Sequence, residues 1–172
     1  MSGATVAPKK FFRMIPKPAP RLVLDTNVCL DLFVFRDPRW QALLDAMRAG
    51  EVECVTRADC RTEWTLVLAY TRLGLDAHAQ QAALAEFDSL ITLSDAAPCQ
   101  GPALPVCKDG DDQKFLELAA DSAAHCLISK DKALLKLARR TRKLGLFEIM
   151  SPPQWIAQWS AGTSPAQSAT LQ

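Results

Sequence analysis

The chain of 172 residues lacks any apolar run long enough to cross a bilayer, so no transmembrane helix is expected. An export signal is missing too. Lys9, Lys10 and Arg13 near the N-terminus are not followed by an apolar segment and a small-residue cleavage site. The cytoplasm is therefore the expected compartment. No two of the six cysteines have CxxC spacing, and only His78 and His125 could join them, which argues against structural zinc. Most of the cysteines fall in apolar stretches, where a free thiol behaves as a small hydrophobe, and a reducing compartment keeps it reduced. There is no excess of charge of either sign. Lys and Arg number 20 against 19 Asp and Glu, a net charge of +1. That balance gives no global attraction for nucleic acid but leaves room for a local basic patch. What is present is a 49% hydrophobic, 23% charged composition, enough apolar material for the core of one globular domain.

The signals along the chain alternate between strand and helix. Residues 1–20, with Pro8, Pro16, Pro18 and Pro20 among basic residues, read as a flexible extension, and 160–172 as a disordered polar tail. Residues 21–159 form the expected domain. Arg21–Leu24 reads as a first strand. Trp40, Leu43, Leu44 and Met47 recur at helical spacing after Asp37-Pro38, and Gly50 ends that helix. Val52–Val55 reads as a second strand. Thr56-Arg57-Ala58-Asp59 has the form of a capping box, with Thr56 capping a helix that carries Glu63 and runs to Gly74.

A helix is expected from His78 to about Ile91, then a proline-containing loop over Ser94–Cys107, with room for a short strand. Asp112 opens the next helix. Cys126–Ser129 reads as a third strand, Lys132–Arg140 as a helix, Phe147–Met150 as a last strand and Pro153–Trp159 as a closing helix. Strands separated by helices imply a parallel sheet covered on both faces, with right-handed crossovers. There is no internal repeat.

Four acids stand where these elements begin or end: Asp25, Glu63, Asp112 and Asp131. Asp25 and Asp131 follow short apolar runs, and the carboxyl ends of parallel strands line the crevice where ligands bind. Each acid has an ordinary explanation. Asp25 in Leu24-Asp25-Thr26-Asn27, Asp112 in Asp109-Gly110-Asp111-Asp112 and Asp131 in Ser129-Lys130-Asp131 suit helix N-termini, and Glu63 beside Arg61 suits a solvated face. Together they suggest more. Carboxylates converging on one sheet edge repel unless a cation neutralises them, and hard divalent cations prefer oxygen ligands. That combination points to metal-assisted cleavage of a phosphodiester.

The order Leu22-Val23-Leu24-Asp25-Thr26-Asn27-Val28, a helical Glu, Asp109-Gly110-Asp111-Asp112-Gln113-Lys114-Phe115, and Leu127-Ile128-Ser129-Lys130-Asp131 resembles the PIN domain family. More closely, it resembles the VapC-like ribonucleases of bacterial toxin–antitoxin systems. The resemblance spans roughly Arg21 to Trp159, and it is the order and spacing of the motifs that make it specific. It implies a three-layer α/β/α fold with a central parallel sheet and a Mg2+- or Mn2+-dependent endoribonuclease. Asp25, Glu63, Asp112 and Asp131 would be its four acids, with Asp25, Asp112 and Asp131 on the metal and Asn27, Asp111 and Ser129 in support. Asp59 is the alternative to Glu63, one helical turn earlier, and Asp111 could exchange roles with Asp112. The resemblance also implies an RNA substrate, a homodimer, and a cognate antitoxin laid over the acidic groove, offering Arg to its carboxylates.

Lys130, Lys132, Lys136, Arg139, Arg140, Arg142 and Lys143 crowd one segment beside Asp131. This reads equally as a solvated helix face and as a phosphate-contact surface, on which Lys130 and Lys132 would touch the RNA backbone. Tyr70 and the tryptophans could stack bases, although Trp40, Trp64, Trp155 and Trp159 sit at positions expected to pack. His78 and His125 have no assigned role. Two other readings compete. One is a PIN-like module that binds RNA or protein without cutting. The other is a phosphatase- or receiver-like domain with a nucleophilic Asp25; Asn at position 27 disfavours the phosphatase version, and the receiver version lacks acids near the chain start and leaves Glu63 and Asp112 idle.

Overall fold

A computed structural model describes residues 18–163 of the chain. The extension and tail expected at the two ends therefore lie largely outside the described residues. Five strands form one sheet in the order β3-β2-β1-β4-β5: β1 Arg21–Leu24, β2 Glu53–Thr56, β3 Ile91–Leu93, β4 Cys126–Ile128 and β5 Glu148–Met150. Every pairing is parallel, with Leu22 beside Cys54 on one side and Cys126 on the other. Among the described residues, eight α-helices accompany them: α1 Thr26–Phe33, α2 Gln41–Arg48, α3 Ala58–Leu68, α4 Ala77–Leu90, α5 Gln113–Asp121, α6 Lys132–Leu135, α7 Ala138–Lys143 and α8 Pro152–Thr163.

The alternation of side chains along each strand builds two cores. Leu22 and Leu24, Cys54, and Cys126 and Ile128 face one layer, where they pack with Val28, Leu43, Trp64, Phe87 and Trp155 from α1, α2, α3, α4 and α8. Val23, Val55, Leu127 and Ile149 face the other, against Phe115, Leu116, Leu118, Ala119 and Leu134 from α5 and α6. This is the expected three-layer α/β/α fold. Strands buried on both faces carry near-continuous apolar sequence, which is why Leu22-Val23-Leu24 and Cys126-Leu127-Ile128 were legible as strands. No helix among the described residues is long and apolar enough to cross a membrane. All six cysteines are free thiols, five of them buried, and burial pushes those of Cys54, Cys60 and Cys126 up to about 12.

Several expectations need correction. Thr56 is not a helix cap. Arg57 occupies that position in extended conformation, Thr56 Oγ1 donates to the Arg57 carbonyl, and Asp59 is bound by the Arg57 guanidinium, so no capping box forms. The helix carrying Glu63 stops at Leu68 and yields to a single 3-10 turn over Thr71–Leu73, closed by Gly74 at φ 63°. Ile91 begins a strand instead of ending a helix. β3 is an edge strand in which only Ile91 is buried, so its apolar signal is weak. The helix expected over Lys132–Arg140 is two helices, parted where the Leu137 N–H bonds back three residues to the Leu134 carbonyl. The closing helix runs to Thr163, into what was read as tail.

Candidate active site

The strand order reverses direction between β1 and β4, its two neighbours at the centre of the sheet. Loops leaving the carboxyl ends of such strands diverge and open a crevice. Asp25 follows β1 directly, and Ser129, Lys130 and Asp131 follow β4. The two ends are stitched together by the Asp25 N–H donating to the Ile128 carbonyl at 3.0 Å. A pocket of about 270 Å3 lies there, lined by Asp25, Thr26, Asn27, Asp109, Asp112 and Asp131, with Leu30 and Val67 as apolar wall and Arg72 at its side.

Asp25 is buried and stands at the start of α1, yet its carboxylate makes no capping bond to that helix. Its Oδ2 instead accepts from Ser129 Oγ and, at 2.8 Å, from Asn27 Nδ2. Ser129, fully buried, also accepts the Asp131 N–H at 2.9 Å, while Asn27 Oδ1 accepts the Lys130 N–H at 3.2 Å. Asn27 and Ser129 thus hold Asp25 against the strand that follows, as supporting residues would. Burial raises the Asp25 pKa above its ordinary value, and the nearby Glu63 and Asp131 charges add to this, against the lowering hydrogen bonds from Ser129 and Thr26.

Asp112 likewise stands immediately before a helix, α5, that its side chain does not cap. Burial first, then the charges of Asp25, Asp109, Asp131 and Glu63, lift its carboxyl to about 6. Of the acidic doublet, Asp112 lines the pocket and Asp111 is exposed, with its carbonyl accepting from Lys114. Asp131 does both jobs considered for it. Its Oδ1 accepts from the N–H groups of Ala133 and Leu134, capping α6, and the same side chain lines the pocket.

Glu63 stands behind the pocket wall. Its Oε1 accepts from Thr26 Oγ1 at 2.6 Å and its Oε2 pairs with the Lys114 ammonium, so it ties α1 and α5 to α3. The alternative, Asp59, is removed from the site: Arg57 beside it holds its carboxyl down at about 2. Lys130, expected on the RNA backbone, pairs its ammonium with the buried Asp31 carboxylate at 2.6 Å. Asp31 accepts from Trp40 Nε1 as well, at 3.0 Å. Lys132 is exposed, at the first position of α6. In the basic stretch beyond, Arg142 is taken by Glu148.

Sequence reasoning did not assign Asp109 or Arg72 to the site. Asp109 caps its own 3-10 turn by accepting the Asp111 N–H, and its neighbours Asp111 and Asp112 drew the attention. Arg72 reaches the pocket only because the chain turns after α3, which no local signal announced.

Among the described residues, no group of three or more His, Cys, Asp or Glu side chains is arranged to hold a metal ion directly. The donors present are nonetheless the hard oxygens that Mg2+ prefers, and Mg2+ commonly keeps several waters and takes only one or two carboxylates. Two carboxyls raised by burial and by neighbouring carboxylates form a site that a divalent cation would relieve. The donor set fits such an ion held partly through water.

Residues 21–133 match the family model of the PIN domain, and the chain belongs to that family. PIN domains are generally metal-dependent nucleases. No curated protein matches the chain.

Proposed function

We propose that this protein is a Mg2+- or Mn2+-dependent endoribonuclease that cleaves single-stranded RNA. The observation carrying this reading is that Asp25 and Asp112 both sit at helix starts, leave those helices uncapped, and turn instead to one pocket shared with Asp131. A carboxylate withheld from its own helix and buried beside others costs stability in the metal-free fold, which is the signature of a functional site. Asp25 and Asp112 are the direct ligands in this reading, and Asp131 completes the shell. A bound divalent ion would lower the pKa of water and neutralise charge on the scissile phosphate.

The chain's own residues supply orientation. Ser129 and Asn27 fix the Asp25 carboxylate through Oδ2, and Thr26 and Lys114 hold Glu63, which in this reading would orient water from behind the pocket wall. The family resemblance supports a further reading, that the nuclease is the toxin of a toxin–antitoxin pair acting in the cytoplasm as a homodimer. An antitoxin would then offer Arg to the same carboxylates.

The test is cleavage of a mixed single-stranded RNA by purified protein, with Mg2+ or Mn2+ against EDTA, beside Asp25→Asn. Metal-dependent cutting that the variant loses is the expected result. A folded, inhibitor-free protein that binds RNA without cutting it would instead establish the binding-module reading.

A further inference from the structure

Among the described residues, few cations are placed to meet a phosphate at the acidic pocket. Lys114 is spent on Glu63 and Lys130 on Asp31. Arginines elsewhere follow the same habit: Arg57 holds Asp59, Glu117 and Asp121, and Arg61 holds Asp88. Arg72 does not. It shares the pocket wall with Asp25, Asp109, Asp112 and Asp131, yet forms no ion pair among the described residues.

Its guanidinium lies instead over the ring of Tyr70, 4.9 Å from the centroid, and Tyr70 is 46% exposed. The backbone fixes the pair. α3 ends at Leu68, Tyr70 enters the 3-10 turn Thr71–Leu73 in extended conformation, and Gly74 closes the turn at a positive φ that only glycine adopts freely. A guanidinium stacked on an aromatic face keeps its in-plane N–H donors available to an anion.

The geometry points to Tyr70 and Arg72 as the nucleotide-positioning element of this pocket, with Arg72 binding a backbone phosphate of single-stranded RNA and Tyr70 stacking the adjoining base. The inference rests on the ribonuclease reading and adds what that reading lacks, a fixed positive charge beside four carboxylates that would otherwise repel the substrate. A net charge of +1 cannot supply that attraction from a distance. Stacking on one aromatic tolerates any base, so the element positions the strand without reading its sequence. Leu30 and Val67 on the same wall give the ribose and base edge an apolar surface.

The test uses the full chain with Mn2+ and a short single-stranded RNA, comparing wild type with Arg72→Ala, Arg72→Lys, Tyr70→Ala and Tyr70→Phe. Arg72→Ala is expected to raise KM about ten-fold with a smaller change in kcat, and to lower the slope of log affinity against log salt by about one phosphate contact. Arg72→Lys should recover part of the loss, since charge returns without the planar fork. Tyr70→Ala should raise KM about five-fold or more, and Tyr70→Phe should match wild type, because the ring face does the work. Both residues are exposed, and thermal melts of each variant check the fold. If wild type cuts and Arg72→Ala keeps its KM and salt slope, this inference fails and the nuclease reading stands. If wild type neither cuts nor binds RNA, both fall.

Discussion

Asp112 carries the clearest consequence at the residue scale. Its carboxyl stands near 6 in the folded chain against 3.8 for an unperturbed Asp, so the folded state holds that proton more tightly. The contribution to stability is therefore fully present below about pH 4 and is lost as pH rises through 6. Metal-free protein should lose thermal stability over that window, and Asp112→Asn should flatten the profile and melt higher at pH 7.5. Parallel melting curves for the two proteins would refute the assignment. Added Mg2+ should raise the melting temperature of wild type above pH 6 and do less for the variant, because the ion then neutralises what the proton no longer can. Ser129 has a different role. It donates to Asp25 and is buried, so Ser129→Ala should reduce metal affinity or activity by about 10–100-fold, the usual loss for an outer-shell partner, with the fold retained. Unchanged metal titrations would remove Ser129 from the site. Asp25, Asp112 and Asp131 could be picked out from their sequence context, but that Asp131 alone of the three caps its helix could not, because a cap and a ligand use the same residue types in the same places.

The decisive element is α3. Glu63 turns toward Thr26 and Lys114 while its neighbour Trp64 is buried, stacked on Phe87 at 5.5 Å and edge-on to Phe33. The pair fixes the helix rotation, since moving Glu63 would withdraw Trp64 from the core. Trp64→Ala should cost about 3–5 kcal/mol in urea denaturation. Trp64→Phe should cost much less, in part because the indole N–H is buried without a hydrogen-bond partner among the described residues. Equal losses for the two variants would mean that the stacked ring is not what anchors the helix. The sequence signals placed a helix carrying Glu63 here, but its start and its end at Gly74 were both misread. Thr56-Arg57-Ala58-Asp59 has the spacing of a capping box, yet Arg57 reaches Glu117 and Asp121 on α5 and takes Asp59 with it. A long-range ion network overrode a local motif.

For the whole molecule, the sheet sets the site by its strand order. β1 lies between β2 and β4, so chain separated by a hundred residues meets at Asp25 and Ser129. The central strands should therefore be the slowest to exchange amide hydrogens, and the edge strand β3 among the fastest of the five. Leu127, fully buried on β4 between β1 and β5, tests the same point: Leu127→Ala should cost about 2–5 kcal/mol and lower metal binding only in proportion to unfolding. A loss of metal binding in the folded variant would show that the sheet centre transmits strain to the pocket.

The apolar triplets of β1 and β4, the helical spacing of α2 and α5, and the acids that follow the strands were determined by sequence alone, because burial on both faces and helix periodicity leave a direct imprint on composition. The same holds for the three-layer class, which alternation of strand and helix dictates. Tertiary structure alone decided that Asp112 and not Asp111 faces the pocket, that Lys130 is spent on Asp31, that Asp109 and Arg72 join the wall, and that Asp59 does not. Each of those outcomes depends on which side chains from distant elements compete for one charge, and no local spacing records that competition.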